Sequence, residues 1–325
     1  VSHGGRVVVL APDGAPEVGA GDDLASLVLD LLDLEDGDVV VVTSKIVSKA
    51  EGRVVAATDR DRELPGETVR VVARRGPTSI VRTRHGLTMA AAGIDASNVA
   101  LGSVVLLPLD PDDSARRLRA ALHERTGRVV GVVVTDTAGR AWREGQTDIA
   151  IGAAGVRVLE DFAGRLDAHG NELAVTAPAV ADEIAGLAEL AQGKLGARPL
   201  ALVRGRTDLV LPVDDDGPGA VALVRAEGHD LFGYGAREAV VRALVGDPAD
   251  QLPFGAPTSA VELVAALRLL VGDRARADSP DRVSVAAGPP EPRLAPLVFA
   301  FGWSIDPDPD ATDGTGVARM RPVTP

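Results

Sequence analysis

Two hydrophobic rhythms alternate along the chain. Unbroken β-branched runs at Val39–Val42 and Val132–Val134 show no polar alternation, which predicts strands buried on both faces. Elsewhere leucine and alanine recur at three- and four-residue spacing, the pattern of an amphipathic helix. Strands are expected over Arg6–Leu10, Asp38–Lys45, Arg53–Ala57, Ser103–Leu109, Arg128–Thr137 and Arg198–Gly205. Helices are expected over Asp22–Leu32, Asp112–Gly127 and Val180–Leu195, the first capped by Asp22 or Asp23 and the second closed by Gly127. Several strands end in polar residues, and in open α/β sheets that edge collects ligands.

The texture changes near residue 250. A helix is expected over Ser259–Asp273, followed by a proline-rich, partly looped stretch over Asp278–Arg293. One apolar strand is expected within Leu294–Ser304, and the last residues, from Asp306 onward, read as a loose tail. The pattern predicts a mixed α/β (α+β) protein with a core over residues 1–250 and a C-terminal extension over 251–325. No internal repeat is found.

Composition narrows this picture. The 325 residues exceed the size at which a single core stops growing, roughly 250–300 residues, so more than one lobe is expected. Hydrophobic residues make up 46% but aromatics only 2%, so the core must be built of Val, Leu, Ala and Ile. The absence of cysteine excludes disulfides, thiol nucleophiles and cysteine metal sites, and fits a reducing compartment. A net charge of -13 without a basic tail argues against nucleic-acid binding by phosphate neutralisation. No apolar run approaches the roughly 20 residues of a membrane span. The N-terminal stretch lacks the regions of a signal peptide, so the cytoplasm is the expected location.

Three polar clusters follow strands. In "TSKIVSKAEGR", Lys45 and Lys49 are one helical turn apart with Ser44 and Ser48 beside them, a set that suits phosphate oxygens or makes a solvated turn. In "AAAGIDASNVA", small residues permit close backbone approach before Asp95 and Asn98, which suit a hard cation or an Asx turn. In "VVVTDTAGRAWREGQTD", Thr135, Asp136 and Thr137 could hold Mg²⁺ or Mn²⁺, with Arg140 and Arg143 meeting phosphate or carboxylate oxygens. The alternative there is a strand-to-helix turn capped by Asp136. Trp142 suits either stacking on a planar ring or half-buried packing. His3, His85, His123, His169 and His229 show no metal-ligand spacing and read as surface or local structure. Neither the phosphate-loop nor the dinucleotide glycine pattern is present.

These blocks, with "GNELAVTAPAVADEIAGLAELAQGKL" after them, resemble in content and order the coenzyme F(420):L-glutamate ligases, which add γ-linked glutamates to the deazaflavin coenzyme. The resemblance covers roughly Arg6 to Ala243. It implies an unusual two-lobed gamma-glutamyl ligase fold, neither Rossmann nor P-loop, in an intertwined homodimer. It also implies a GTP-dependent ligase that acts on L-glutamate and coenzyme F(420)-0 through an acyl phosphate. By similarity, Ala15, Pro16, Glu17, Val18, Ser44, Lys49, Asn98, Arg204 and Gly205 would contact GTP. Asp95 and Asp136 would hold one Mg²⁺ or Mn²⁺ ion and Thr137 a second, and K⁺ is a further candidate ion. Lys45, Arg140 and Arg143 are substrate-side candidates, and no protein nucleophile is needed. Some relatives carry a C-terminal flavin domain. The 75 residues of 251–325 fall below the usual domain size of roughly 100–150 residues, so no FMN is expected. The same chemistry on another carboxylate, or a non-catalytic nucleotide-binding scaffold, are the competing readings.

Overall fold

The valine runs of the two adjacent inner strands of the main sheet are uninterrupted because both of their faces are covered. The computed structural model describes residues 5–56, 60–306 and 317–323. The chain divides into two compact units, Val1–Val224 and Arg225–Pro325, with the division falling ahead of the change in texture near residue 250.

In chain order the first unit contains β1 (Val8–Leu10), α1 (Leu24–Leu31), β2 (Val39–Thr43), α2 (Ser44–Ala50), β3 (Val54–Ala56), α3 (Arg60–Glu67), β4 (Thr68–Arg75), β5 (Thr78–Thr83), β6 (Thr88–Ala90), β7 (Ser103–Val105), α4 (Pro111–Thr126), β8 (Gly131–Gly139), β9 (Gln146–Ala154), α5 (Val180–Gln192) and β10 (Leu200–Arg204). Its main sheet has the order β1-β10-β2-β8-β9. Only β2 and β8 run parallel, and the other neighbours are antiparallel. Val40, Val42, Val132 and Val134 join a core with α1, α2 and α4, whereas Val39, Val41 and Val133 join a second core with α5. Alternation along each strand thus feeds two apolar layers, and each fully buried valine contributes about 1.5–3 kcal/mol. Asp23 caps α1 through the amides of Ala25 and Ser26, and Gly127 ends α4 at φ 69°.

Parallel pairing aligns Thr43 with Thr135, so β2 and β8 deliver their polar ends to the same edge. There the structure corrects two expectations. β2 stops at Thr43 and α2 begins at Ser44, so Lys45 is helical. β8 continues through Asp136 to Gly139 and returns as β9, so Asp136 lies within a strand and caps no helix. Its neighbours Thr135 and Thr137 find their partner, Asp148, across the hairpin. Two small sheets, β3-β7 and β4-β5-β6, complete the unit.

The second unit contains α6 (Ala236–Val245), α7 (Ala260–Val271), β11 (Ala275–Ser279), β12 (Arg282–Val285), α8 (Leu294–Ala300), β13 (Trp303–Ile305) and β14 (Ala318–Pro322). Its sheet has the order β11-β12-β14-β13, and Leu263, Leu267, Val283, Trp303 and Met320 lie at the centre of its own core. Two further expectations are corrected. The apolar run from Leu294 is helix α8 followed by the short strand β13, because a run of this length serves either a helix or a strand. The expected tail is structured over Ala318–Pro322, where β14 inserts between β12 and β13 and buries Met320; residues 307–316 lie outside the described residues. Part of the proline-rich stretch is likewise strand, in the β11–β12 pair.

Candidate active site

Ser44 and Lys45, the first two residues of α2, each reach a carboxylate from a distant part of the chain. Ser44 Oγ donates to Asp136 Oδ1 at 2.9 Å. Lys45 Nζ lies 2.6 Å from Asp95 Oδ2 and also donates to Ser97 Oγ at 2.7 Å. The backbone of Asp95 bridges to Val105, and its carboxylate accepts from Ser97 N and Ser97 Oγ. The Asx-turn reading of this segment therefore holds, and the same turn carries Asp95 to the strand ends.

The electrostatics of the two carboxylates differ. Burial resists ionisation of Asp95, yet Lys45 and Ser97 hold its pKa below the usual value. Asp136 is pushed up to about 7, chiefly by burial and then by the charges of Asp148 and Asp95, against the hydrogen bond from Ser44. A carboxyl group poised near neutrality beside other carboxylates is a place where a cation would be welcome.

Successive strand residues face opposite ways, so Thr135 and Thr137 present to a different neighbour. Their hydroxyls donate to Asp148 at 3.2 and 2.6 Å. Lys194, just beyond α5, donates to Thr137 Oγ1 at 2.8 Å and pairs with Glu189 at 2.5 Å and Asp148 at 3.5 Å. Desolvation works against the Lys194 ammonium, but Glu189 and Asp148 outweigh it and raise its pKa. Sequence reasoning did not single out Lys194 or Glu189. Thr137 and Lys194 lie 57 positions apart, and no local pattern connects them.

The remaining candidates divide into two groups. Lys49 is buried and pairs with Glu17, which brings the segment Ala15, Pro16, Glu17 and Val18 to α2; Val18 itself is buried. Ser48 Oγ, one residue earlier on α2, is buried without a hydrogen-bond partner among the described residues. Asn98 follows Asp95 in an exposed turn at φ 54°. Arg140 and Arg143 are exposed in the β8–β9 turn, where Arg140 donates to Glu144 O at 3.0 Å. Trp142 in the same turn is 85% exposed, which removes the half-buried packing role.

Arg204 and Gly205 are not gathered with the rest. β10 runs antiparallel to β2 and pairs Val203 with Val39, so its end lies at the opposite edge of the sheet. Four residues of strand separate that edge from Thr43, roughly 13 Å at 3.3 Å per residue. Arg204 is engaged there by Asp38 and Glu35. Of the histidines, His85 bonds Pro108 O and Leu109 O and His123 bonds Arg128 O, both local structure, while His169 and His229 are exposed. His3 lies outside the described residues.

The carboxylates of Asp95 and Asp136 and the hydroxyls of Ser44 and Ser97 are oxygen ligands of the kind a hard divalent ion takes, while the Lys45 ammonium is paired with Asp95. Among the described residues no three acidic or imidazole side chains form a metal cage. That is compatible with Mg²⁺, which takes one or two carboxylates and completes its shell with substrate phosphates and water.

A family model described as F420-0:Gamma-glutamyl ligase matches residues 14–63 and 62–205, which contain every element just described around Asp95 and Asp136. The chain belongs to that family. It is a ligase by that membership. Relatives of this family include the coenzyme F420:L-glutamate ligase of Archaeoglobus fulgidus, 43% identical over 219 residues, or 62% of this chain and 88% of the relative. The ligase of the same name from Methanopyrus kandleri is 39% identical over 237 residues, 66% of this chain and 93% of the relative. That of Methanothermobacter thermautotrophicus is 38% identical over 224 residues, 61% of this chain and 89% of the relative. Among the described residues no helix is long and apolar enough to cross a membrane.

Proposed function

We propose that the protein is a GTP- and divalent-metal-dependent ligase that adds L-glutamate through γ-linkages to coenzyme F(420)-0. One observation carries the reading. Asp95 and Asp136, far apart in sequence, meet consecutive residues of α2 at the carboxyl edge of the parallel β2–β8 pair, with Lys49 one turn further along the same helix. A Mg²⁺ or Mn²⁺ ion held by Asp95 and Asp136 would neutralise triphosphate charge and stabilise the transferring phosphoryl group.

The rest follows from positioning and charge. A terminal carboxylate oxygen of the acceptor attacks the γ-phosphorus of GTP, and the bond to GDP breaks to leave an acyl phosphate. The glutamate amine then attacks the acyl carbon, phosphate departs and the amine loses a proton to solvent. Lys49 and Ser44, with the Ala15–Val18 segment and Asn98, hold the nucleotide; Lys45, Arg140 and Arg143 receive the acidic substrates. No side chain needs to form a bond to substrate, so orientation and electrostatics suffice. Thr137 is the family-based candidate for a second ion, with K⁺ a further candidate, but in this structure its hydroxyl is already shared between Asp148 and Lys194. An intertwined, two-lobed homodimer belongs to the same reading, as does the absence of a resident FMN.

The test is to incubate the protein with F(420)-0, GTP, Mn²⁺ and L-glutamate and weigh the acceptor. Addition of glutamyl residues with matching GDP release is expected, and Asp95→Ala or Asp136→Ala should lower the rate by at least about 100-fold, the scale of a lost charge-stabilising group. Near-normal ligation by either variant at saturating Mn²⁺ would overturn the metal assignment, and an unmodified acceptor with wild-type protein would overturn the function.

A further inference from the structure

The residues beyond the family match hold a cavity of their own. Of the two tryptophans, one tyrosine and five phenylalanines in the chain, all but Trp142 and Phe162 lie in the second unit. Three of them form an edge-to-face row, Tyr234 on Phe254 at 5.0 Å and Phe254 on Phe299 at 5.8 Å between ring centroids. The row is anchored at its far end, where Tyr234 Oη donates to Asp250 O at 2.9 Å. Phe299 is thereby held as one wall of a cleft of about 540 Å³. The end of α6 (Leu244, Val245), α8 (Pro296) and the paired strands β13 (Ile305) and β14 (Pro322) supply the others. That volume falls in the range of roughly 300–1,000 Å³ at which small-molecule sites occur.

Its polar groups are few and mostly committed. Trp303, 2% exposed at the floor, gives its indole N–H to Thr258 O at 2.9 Å, so it offers a ligand only its ring. Gln251 Nε2 donates to Phe299 O at 3.1 Å. Arg321 is the one charged residue in the lining, and no acid accompanies it there. Its Nε lies 2.9 Å from Asp306 Oδ1, while the other oxygen of Asp306 lies 3.6 Å from Arg282 Nη1. Two guanidiniums thus share one carboxylate and leave a positive surplus. Among the described residues nothing takes Nη1 or Nη2 of Arg321, a donor pair that fits a second carboxylate side by side. The mouth is apolar as well. α6 buries none of its residues, and Leu244 and Val245 stand 65% and 68% exposed beside the cleft. Apolar surface left open in this way favours an occupant that covers it.

We propose that this cleft binds a small amphipathic organic acid, with an apolar body laid against Phe299, Ile305 and the end of α6 and a carboxylate held by Arg321. A cation is disfavoured, since the only lining charge is positive. A solute charged along its whole length is disfavoured too, because it would strand polar groups against carbon. The matched ligase segment ends at residue 205, so the site stands or falls independently of the ligase reading.

Fluorescence titration of the full chain tests the proposal. Trp142→Phe leaves Trp303 as the single tryptophan, so its emission reports on the cleft. Decanoate should change that emission saturably. Decanol, with the same body and no charge, should bind at least about tenfold more weakly, the loss expected for one charge-assisted hydrogen-bonded pair. In the same background Arg321→Met should weaken decanoate binding by about tenfold or more and leave decanol unchanged. Ala295→Phe, at an exposed lining position on α8, should fill the cleft and abolish binding of both probes. The comparison of decanoate with decanol needs neither of these variants to fold. Equal binding of the two probes, a preference for decanoate that survives Arg321→Met, or an emission that never responds to decanoate each overturns the proposal. Binding that survives Ala295→Phe would place the probe elsewhere and overturn the site. A concentration-dependent dimer that excludes decanoate would give the apolar mouth to a second copy of the chain, and would overturn the small-molecule assignment.

Discussion

Asp136 shows what one residue contributes when its surroundings oppose its charge. Its pKa is raised to about 7 by burial and by its acidic neighbours, so in the metal-free protein it holds a proton that the unfolded chain, with an ordinary carboxyl pKa of 3.8, has already released. Where the folded state binds more protons, stability falls as pH rises. Metal-free protein should therefore lose stability between about pH 4 and pH 7 through this group, and Asp136→Asn should flatten that part of the profile in urea titrations. A cation that needs the carboxylate must expel the proton, so Mn²⁺ affinity should climb by up to tenfold per pH unit below 7 and level off above it. Affinity independent of pH over that range would count against Asp136 as a ligand. At Lys49, replacement by Met should weaken GTP binding in calorimetry, since a buried ammonium beside the Ala15–Val18 segment is lost. The residues legible in the sequence were those set by local pattern: Ser44, Lys45, Lys49 and Asp136 all stand where a buried strand ends or turns polar. Lys194 and Glu189 were not legible, because their roles come from a helix laid across the sheet. Arg204 had the right composition and lies at the wrong edge, since strand direction cannot be read from a strand's own residues.

At the scale of elements, α4 shows how the sheet fixes a loop. Arg119 is buried, and its guanidinium donates to the carbonyls of Val130, Leu211, Pro212, Val213 and Asp215 and to Asp216 Oδ1. Asp112, about two helix turns earlier, accepts from the amides of Ala153, Ala220 and Val221. Together they tie the segment after β10 to α4 and β9. The fit is close: a Cβ at Gly155, whose φ is +64°, would lie 2.0 Å from Arg119 Nε. Arg119→Met should strand several buried carbonyls and destabilise the unit by about 3 kcal/mol or more, read as a lowered urea midpoint. A change below about 0.5 kcal/mol, the level of an ordinary surface substitution, would show that water replaces the guanidinium. The helices α1, α4, α5 and α7 were legible from apolar periodicity, which side-chain caps support at Asp23, Asp110 and Ser259 but not at the start of α5. The β8–β9 hairpin was only half legible: its first strand is a valine run, but its second, "QTDIAIGAA", mixes polar and small residues and owes its place to pairing. The run at Leu294 misled for the converse reason, being apolar enough for either element.

At the scale of the whole molecule, each of the two units has a hydrophobic core of its own. Among the described residues, the apolar clusters of the first unit draw on residues up to Leu223 and that of the second on Ala260 to Met320. The ligase family match stops at residue 205, so the second core is additional to what the matched segment requires. Each core has the size to melt cooperatively, and multi-domain chains commonly depart from two-state unfolding. Trp303 offers a way to separate them. It is 2% exposed, packs in the second core and donates its indole N–H to Thr258 O at 2.9 Å. Truncation to Ala should cost that unit about 3–5 kcal/mol, by lost burial and by the cavity left behind. Hydrogen exchange should then show α7, β12 and β14 losing protection while β2 and β8 keep theirs, because nothing in the first unit's cores is touched. Ligation by the Trp303→Ala protein should persist wherever β2 and β8 remain protected. Loss of protection in both units together, with activity falling in step, would make the second core a structural requirement of the ligase site.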